Sequence, residues 1–256
     1  MQPEIDLFGI PLKTFGLCFG LSFVVSGAIV ARRLKELGKP PDWAYEMVFA
    51  ALVGGLLGGR LYWLVEHPSR FSDLSAVFGG AGLVWFGGAL GGAAGVLLWA
   101  YRKGMFNLQL LDLCSPALAM GYAVGRVGCQ VSGDGDYGTK TDLPWGMAYP
   151  HGVVPTNDVV HPAPIYETVS MGLAAWALWR ARDAFRPGVL FGFYLVFAGI
   201  ERFLVEFVRR NDAVLAGLTE AQLFSLVMLL SGLTWIMVAA RSGGLRAPDA
   251  AAPVPA

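Results

Sequence analysis

Three arginines stand inside apolar runs of this 256-residue chain: Arg60, Arg126 and Arg202. A charged side chain at membrane depth costs at least about 2.5 kcal/mol, so it rarely sits there without a partner or a task. Arginine stays protonated in apolar surroundings and offers a planar fork of donors that matches a phosphate. A lipid phosphate is therefore the first partner to consider. Arg126 opens the densest stretch of chemistry, Gly125-Arg126-Val127-Gly128-Cys129-Gln130-Val131-Ser132-Gly133-Asp134-Gly135-Asp136-Tyr137-Gly138. The glycines from Gly133 to Gly138 permit positive φ and close approach of backbone to a ligand. Asp134 and Asp136 can hydrogen-bond a glycerol hydroxyl, act as bases, or close the loop as Asx turns. Two aspartates one residue apart are a weak metal signal, and no fuller calcium-loop pattern follows, so no metal is expected.

A second cluster is Glu201-Arg202-Phe203-Leu204-Val205-Glu206-Phe207-Val208-Arg209. On a helix, Arg202, Glu206 and Arg209 share one face and make a self-neutralising ladder. Such a ladder either pins helices together or lets Glu206 orient two arginines toward a bound phosphate. A third is His161-Pro162-Ala163-Pro164-Ile165-Tyr166-Glu167. Pro164 suits the first turn of a helix, and Glu167 then lies near its N-terminus, where negative charge is favoured. His161 falls at the membrane surface, either as a structural residue or as a base. For Arg60, followed by Leu-Tyr-Trp, snorkelling or pairing with an acid competes with lipid binding.

The elements that must position these groups are transmembrane helices. Hydrophobic residues make up 55% and charged residues 15% of the chain, and the mean hydropathy is +0.54. Runs of about 20 apolar residues mark spans. Seven are expected, near 14–31, 43–65, 80–101, 108–131, 164–181, 188–208 and 219–240. The fold class is thus all-α and polytopic. A pI near 6.8 argues against nucleic acid as a partner. The first run is not expected to be a cleavable signal, because only Lys13 precedes it, with Glu4 and Asp6, while the basic cluster Arg32, Arg33, Lys35 and Lys39 follows it. Cys18, Cys114 and Cys129 lie far apart in apolar stretches and are expected to be free thiols.

Basic residues are divided unevenly between alternate loops. One set holds Arg32, Arg33, Lys35, Lys39, Arg102, Lys103, Arg180, Arg182, Arg186, Arg241 and Arg246. The other holds only Lys13, Arg70, Lys140, Arg209 and Arg210. The positive-inside rule then puts the N-terminus outside, the C-terminus in the cytoplasm and the 132–163 loop outside. Residues 1–241 read as one domain, and 242–256 as a disordered Ala/Pro-rich tail. Small residues four apart in the second and third spans, Gly54, Gly55, Gly58 and Gly59, then Gly87, Gly88, Gly91 and Gly92, suit close helix packing.

Taken together and in order, these motifs resemble the prolipoprotein diacylglyceryl transferase family. The Gly125–Gly138 stretch is similar to the family signature. Asp112-Leu-Cys-Ser-Pro-Ala-Leu leads into it as in the family. Trp145-Gly-Met-Ala-Tyr-Pro resembles the external loop, and His161-Pro-Ala-Pro-Ile-Tyr-Glu, Glu201-Arg-Phe-Leu-Val-Glu-Phe-Val-Arg and Thr219-Glu-Ala-Gln-Leu-Phe-Ser-Leu match in sequence order. The resemblance runs from about Ile10 to Met237. It implies transfer of the diacylglyceryl group of phosphatidylglycerol to the lipobox cysteine thiol of a preprolipoprotein. Glycerol 1-phosphate would be released at the outer face of the bacterial cytoplasmic membrane, and no cofactor would be needed.

The resemblance also implies site residues. Arg126 and Arg202 match arginines the family needs, and Gly138, Glu206 and Arg209 fall on family positions thought functional. With Arg60 these are the expected phosphatidylglycerol-binding residues. His161, Asp134 and Asp136 are the local options for a base. The chain departs from the family pattern at Phe86, where some relatives have His before Gly-Gly, at Thr14-Phe15, where some have Tyr, and at Cys129, where others have Asn. A paralogue with the same lipid donor and another acceptor, and an anionic-lipid transporter, are the alternatives.

Overall fold

A computed structural model describes residues 1–68 and 84–247. Seven α-helices of 17 to 25 residues stand among them: α1 (Thr14–Glu36), α2 (Trp43–Glu66), α3 (Trp85–Arg102), α4 (Leu108–Ser132), α5 (Ala163–Arg180), α6 (Val189–Val205) and α7 (Glu220–Arg241). Each falls on one of the seven apolar runs, with ends that differ by up to five residues, as at α1, which continues to Glu36. Three of them, α1, α2 and α7, are long and apolar enough to cross a membrane by length and composition. The expected start of the third span, 80–83, and most of the expected C-terminal tail lie outside the described residues.

The sequence pattern showed no strands, yet the connections hold three two-stranded antiparallel hairpins. They are β1 (Glu4–Leu7) with β2 (Ile10–Lys13), β3 (Met147–Tyr149) with β4 (Thr156–Val160), and β5 (Ala213–Leu215) with β6 (Leu218–Thr219). At two to five residues each, they are too short for an alternating pattern to register.

The described residues form two compact units. Gly27–Leu110 is one, and Met1–Ser26 with Leu111–Ala256 is the other. In the first, α2 and α3 meet along their glycines. A methyl group added at Gly54, Gly58, Gly87, Gly91 or Gly95 would overlap a facing backbone carbonyl. Small residues here serve helix packing. Glu46 on α2 accepts hydrogen bonds from Trp99 Nε1 and Lys103 Nζ, both at 3.0 Å, which ties the start of α2 to the end of α3.

In the second unit, α4, α5 and α6 share a core of Ala119, Ala123, Met171, Ala175, Leu178, Leu190 and Ala198. The predominance of alanine keeps the helix axes close. Asp112 reaches from α4 to the start of α6, where its carboxylate accepts from the backbone N–H of Gly188 at 2.7 Å and of Phe191 at 2.9 Å. These donors have no partner within the helix, and a negative charge there also complements the helix dipole. At α7, Thr219 and Gln222 form a capping box. Gly199 packs against the backbone of Ser225 and Leu229.

The glycine geometry separates tight from open positions. Gly54→Ala should destabilise the protein by about 1–3 kcal/mol through overpacking. Gly172→Ala, with nothing within 4 Å of the added carbon, should be neutral or stabilising by about 0.5–1 kcal/mol because alanine favours helix. Thermal unfolding of both variants in one detergent checks the contrast.

Candidate active site

The apolar run from Leu108 ends as α4 at Ser132, and Gly133 closes it with φ of 61°. Gly135 follows with φ of 99°. These two left-handed glycines turn the chain back, so that Asp136 returns over the last turns of α4. The loop is then fixed at Gly138. Its N–H donates to the His161 carbonyl at 2.8 Å, and the next N–H, of Thr139, donates to the Val208 carbonyl at 2.7 Å. A side chain at Gly138 would collide with that Val208 carbonyl and with His161 Cβ. Gly138 is thus required for the loop to lie against the segment after α6.

The helix expected over 188–208 is shorter than the sequence suggested. The α-helix stops at Val205, Glu206–Val208 form one 3-10 turn, and Arg209 is extended with φ −79° and ψ 168°. The ladder survives by a different route. Arg202 meets Glu206 Oε2 at 3.0 Å, and Arg209 Nε lies 3.6 Å from the same oxygen. Tightening the last turn and then extending the chain lets Arg209 turn toward the Gly-rich loop, which a continued helix would not allow.

Glu167 is the centre of the arrangement, with a side chain that is 0% exposed. It sits one turn into α5, placed there by the Pro162 and Pro164 entry. Its Oε1 accepts from Tyr122 Oη at 2.8 Å and from Arg202 Nη1 at 3.1 Å. Its Oε2 lies 3.1 Å from Arg126 Nε and 3.7 Å from Arg209 Nη1. Arg126 also stacks over the Tyr122 ring at 5.0 Å. One buried carboxylate therefore gathers arginines from α4, from α6 and from the segment beyond it. Glu206, equally buried, backs them: its Oε1 accepts from Asn211 Nδ2 at 2.6 Å and from Thr219 Oγ1 at 2.8 Å. The α7 cap is thereby joined to the site.

Asp136 completes the cluster from outside. One carboxylate oxygen accepts from Arg126 Nη1 and the other from Arg209 Nη2, the latter at 2.7 Å. Burial opposes its charge, but Arg126 and Arg209 outweigh burial and hold its carboxyl below the usual carboxylate range. Asp134 lies one step further out and accepts from the Asp136 N–H at 3.3 Å. Arg210 donates to the Gly135 carbonyl at 3.1 Å and covers the Tyr137 ring at 4.3 Å. Tyr137 stacks on Tyr149 with centroids 4.7 Å apart, and Tyr149 Oη donates to Gln130 Oε1 at 2.9 Å. These contacts bind the loop to β3 and to the end of α4.

The structure thus brings Arg126, Arg202, Glu206, Arg209, Asp136 and Gly138 together. His161 lies at the edge: its Nδ1 is 3.2 Å from Tyr166 Oη, which also accepts from Trp145 Nε1 at 2.8 Å. Arg60 belongs to the other unit, with its guanidinium 4.6 Å over the Trp63 ring. Cys129, Asp134 and Asp136 each bring a donor atom within 4.8 Å of the others. Both Asp136 oxygens are already held by arginines, and the adjacent Arg126 charge would repel a metal ion, so the trio is poorly suited to one. Two site residues escaped the sequence reading, Tyr122 and the central role of Glu167. The available signal was an acid one turn inside an apolar helix, which at that depth requires cations around it.

The comparisons with known proteins decide the family. A family profile described as prolipoprotein diacylglyceryl transferase matches residues 4–238. The chain belongs to this family. Among its relatives, the phosphatidylglycerol--prolipoprotein diacylglyceryl transferase of Clostridium tetani is 30% identical over 244 residues, 91% of this chain and 96% of that one. The protein of that name from Geobacter sulfurreducens is 35% identical over 262 aligned positions, 93% and 97% of the two chains. That from Azotobacter vinelandii is 35% identical over 254, covering 90% and 92%.

Glu167→Gln removes the charge that gathers three guanidiniums. Breaking a buried pair in this way costs about 3–5 kcal/mol. The expected result is a large fall in thermal stability in detergent, greater than that of Asp136→Asn, whose side chain is 33% exposed. Equal stability of Glu167→Gln and wild type would contradict the central role of Glu167. The Asp136 contribution has its own pH window. Its folded value is lowered, so it is fully present above the unfolded value near pH 4 and is lost as pH falls through the lower folded value. The stability difference between wild type and Asp136→Asn should stay flat from about pH 5 to 8 and shrink only below about pH 4.

Proposed function

We propose that the protein transfers the diacylglyceryl group of phosphatidylglycerol to the lipobox cysteine thiol of a preprolipoprotein, releasing glycerol 1-phosphate. The observation that carries the site assignment is the Asp136 bridge. A two-oxygen anion spans Arg126 and Arg209, one oxygen on each. The two non-bridging oxygens of a phosphodiester present the same pattern, and guanidinium groups bind phosphate in that geometry. On this reading the lipid phosphate takes the place of the Asp136 carboxylate as the glycine-flanked loop swings outward. Arg202, held by Glu167 and Glu206, supplies a further cation to the leaving phosphate.

The chemistry is displacement at the glyceryl carbon bonded to phosphate. The thiol sulfur attacks, and the C–O bond breaks toward the phosphate. Charge grows on the leaving group, and donors fixed in advance stabilise it without reorganising. Glu167 and Glu206 provide that fixing: they align the arginines before lipid arrives. A thiol near cations also ionises more readily than its ordinary value of about 8.5 suggests. The donor lipid is itself activated, so no cofactor enters.

The remaining parts of the reading follow from the sequence. All seven helices cross the bacterial cytoplasmic membrane, with the N-terminus outside and the C-terminus inside, and residues 1–241 act as one transferase. The basic-loop asymmetry supports this orientation, which puts the Gly133–Gly138 loop and the arginine cluster toward the outer leaflet. Arg60 remains a proposed lipid contact. His161 orients Tyr166, and Asp134 shapes the loop.

Arg126→Ala and Arg202→Ala should each lower transfer by more than about 10²-fold while the protein still inserts, the loss typical of a single oxyanion donor. The assay follows label from phosphatidylglycerol to a lipobox peptide, and full activity of both variants would end the phosphate-clamp reading. Asp136→Asn separates two roles. If Asp136 only occupies the clamp, the KM for phosphatidylglycerol falls and kcat is kept. If it were the base, kcat would fall by about 10² or more.

A further inference from the structure

Four carboxylates stand among the arginines, and three are spoken for. Glu167 accepts from Tyr122 and Arg202 and faces Arg126 and Arg209. Glu206 accepts from Asn211 and Thr219 and faces Arg202 and Arg209. Asp136 is divided between Arg126 and Arg209. The fourth, Glu201, precedes Arg202 on α6. Its Oε1 is sealed from solvent and has no hydrogen-bond partner among the described residues. It is nevertheless close enough to Glu167, Arg202, Arg126 and Arg209 to interact with their charges, and Tyr122 feels it from α4.

A buried carboxylate oxygen with no donor is unusual, because leaving it unmatched is costly. Glu167 Oε2 and Glu206 Oε2 also lack a hydrogen bond, but each has two arginine nitrogens at 3.0–3.7 Å, whereas no ion pair reaches Glu201 among the described residues. The charge count sharpens the point. Arg126, Arg202 and Arg209 are matched by Glu167, Glu206 and Asp136, so the negative charge of Glu201 is in excess. A carboxylate with arginines set against it is a poor proton acceptor, whereas Glu201 Oε1 has neither a hydrogen bond nor an ion pair among the described residues.

We propose that Glu201 is the general base of the transfer, a role that rests on the phosphate-clamp reading above. The cysteine S–H bond breaks as its proton passes to Glu201 Oε1. The sulfur electron pair forms the new C–S bond at the glyceryl carbon. The C–O bond there breaks, and its electron pair leaves on the phosphate oxygen. That oxygen then takes the proton from Glu201, so the carboxylate is restored and glycerol 1-phosphate departs. The base thus begins and ends the cycle as the excess anion, and it is neutral while charge develops on the phosphate.

The test compares wild type with Glu201→Gln and Glu201→Ala as full chains in detergent, with phosphatidylglycerol and a lipobox peptide, across pH. Groups facing Glu201 that bear on the profile are Tyr122 and Arg126 from α4, Glu167 from α5, and Arg202 and Arg209. Glu201→Gln should lower kcat at neutral pH by about 10² or more with an unchanged KM for the lipid. Its rate should climb with pH toward the thiol value of about 8.5, as the peptide supplies its own thiolate. Added formate should restore part of the activity of Glu201→Ala. Wild-type kcat in Glu201→Gln overturns the proposal. So does a deficit that is the same at every pH and is not rescued, since that marks a structural role. Arg126→Ala, measured beside them, separates the two ideas: if it retains transfer, the clamp fails whatever Glu201 does.

Discussion

The second unit depends on one buried carboxylate. Glu167 has no exposed surface, and three guanidinium groups from separate stretches of chain converge on it. In isolation each charge would be prohibitively costly at such a site; together, with Tyr122 donating to Glu167 and Glu206 facing Arg202 and Arg209, the charges offset one another. Most of the local architecture can be read as the means of bringing these groups to one point. The prolines at the entry of α5 put Glu167 one turn below the helix end. The small residues shared by α4, α5 and α6 let those helices approach. Asp112 and Thr219 cap α6 and α7, and Thr219 is at once a cap and a donor to Glu206.

A network of this kind is rigid inside and replaceable at its edge. Glu167 and Glu206 are fully enclosed, but Asp136 comes from a loop turned by two left-handed glycines and is partly exposed. On the proposed reading the arginines keep their alignment when the loop anion leaves, because Glu167 and Glu206 hold them from within. That combination suits the proposed exchange, in which the loop acid satisfies the cluster at rest and the phosphate of the lipid satisfies it in the complex.

Much of this was legible in the sequence, and the exceptions have physical causes. The helices follow the apolar runs closely because length and hydrophobicity set them without reference to distant contacts. Arg126, Arg202, Glu206 and Arg209 were visible because charges inside apolar runs demand explanation. The position of Arg209 was not: a pattern of i, i+4 and i+7 assumes a continuous helix, and the chain instead tightens at Glu206–Val208 and then extends. The short hairpins lie below the length at which alternation can be recognised. The Asp112 cap joins residues 76 positions apart, and no local pattern reports such a distance. Glu167 was noted for its place at a helix start, whereas its importance comes from what three other segments bring to it.

The proposed exchange of one anion for another at the arginine cluster is tested most directly by a structure with phosphatidylglycerol or glycerol 1-phosphate bound. Exchange requires phosphate oxygens on Arg126 and Arg209, Asp136 swung away, and Glu167 still holding Arg126 and Arg202. A phosphate bound elsewhere, with Asp136 still bridging the two arginines, would contradict it.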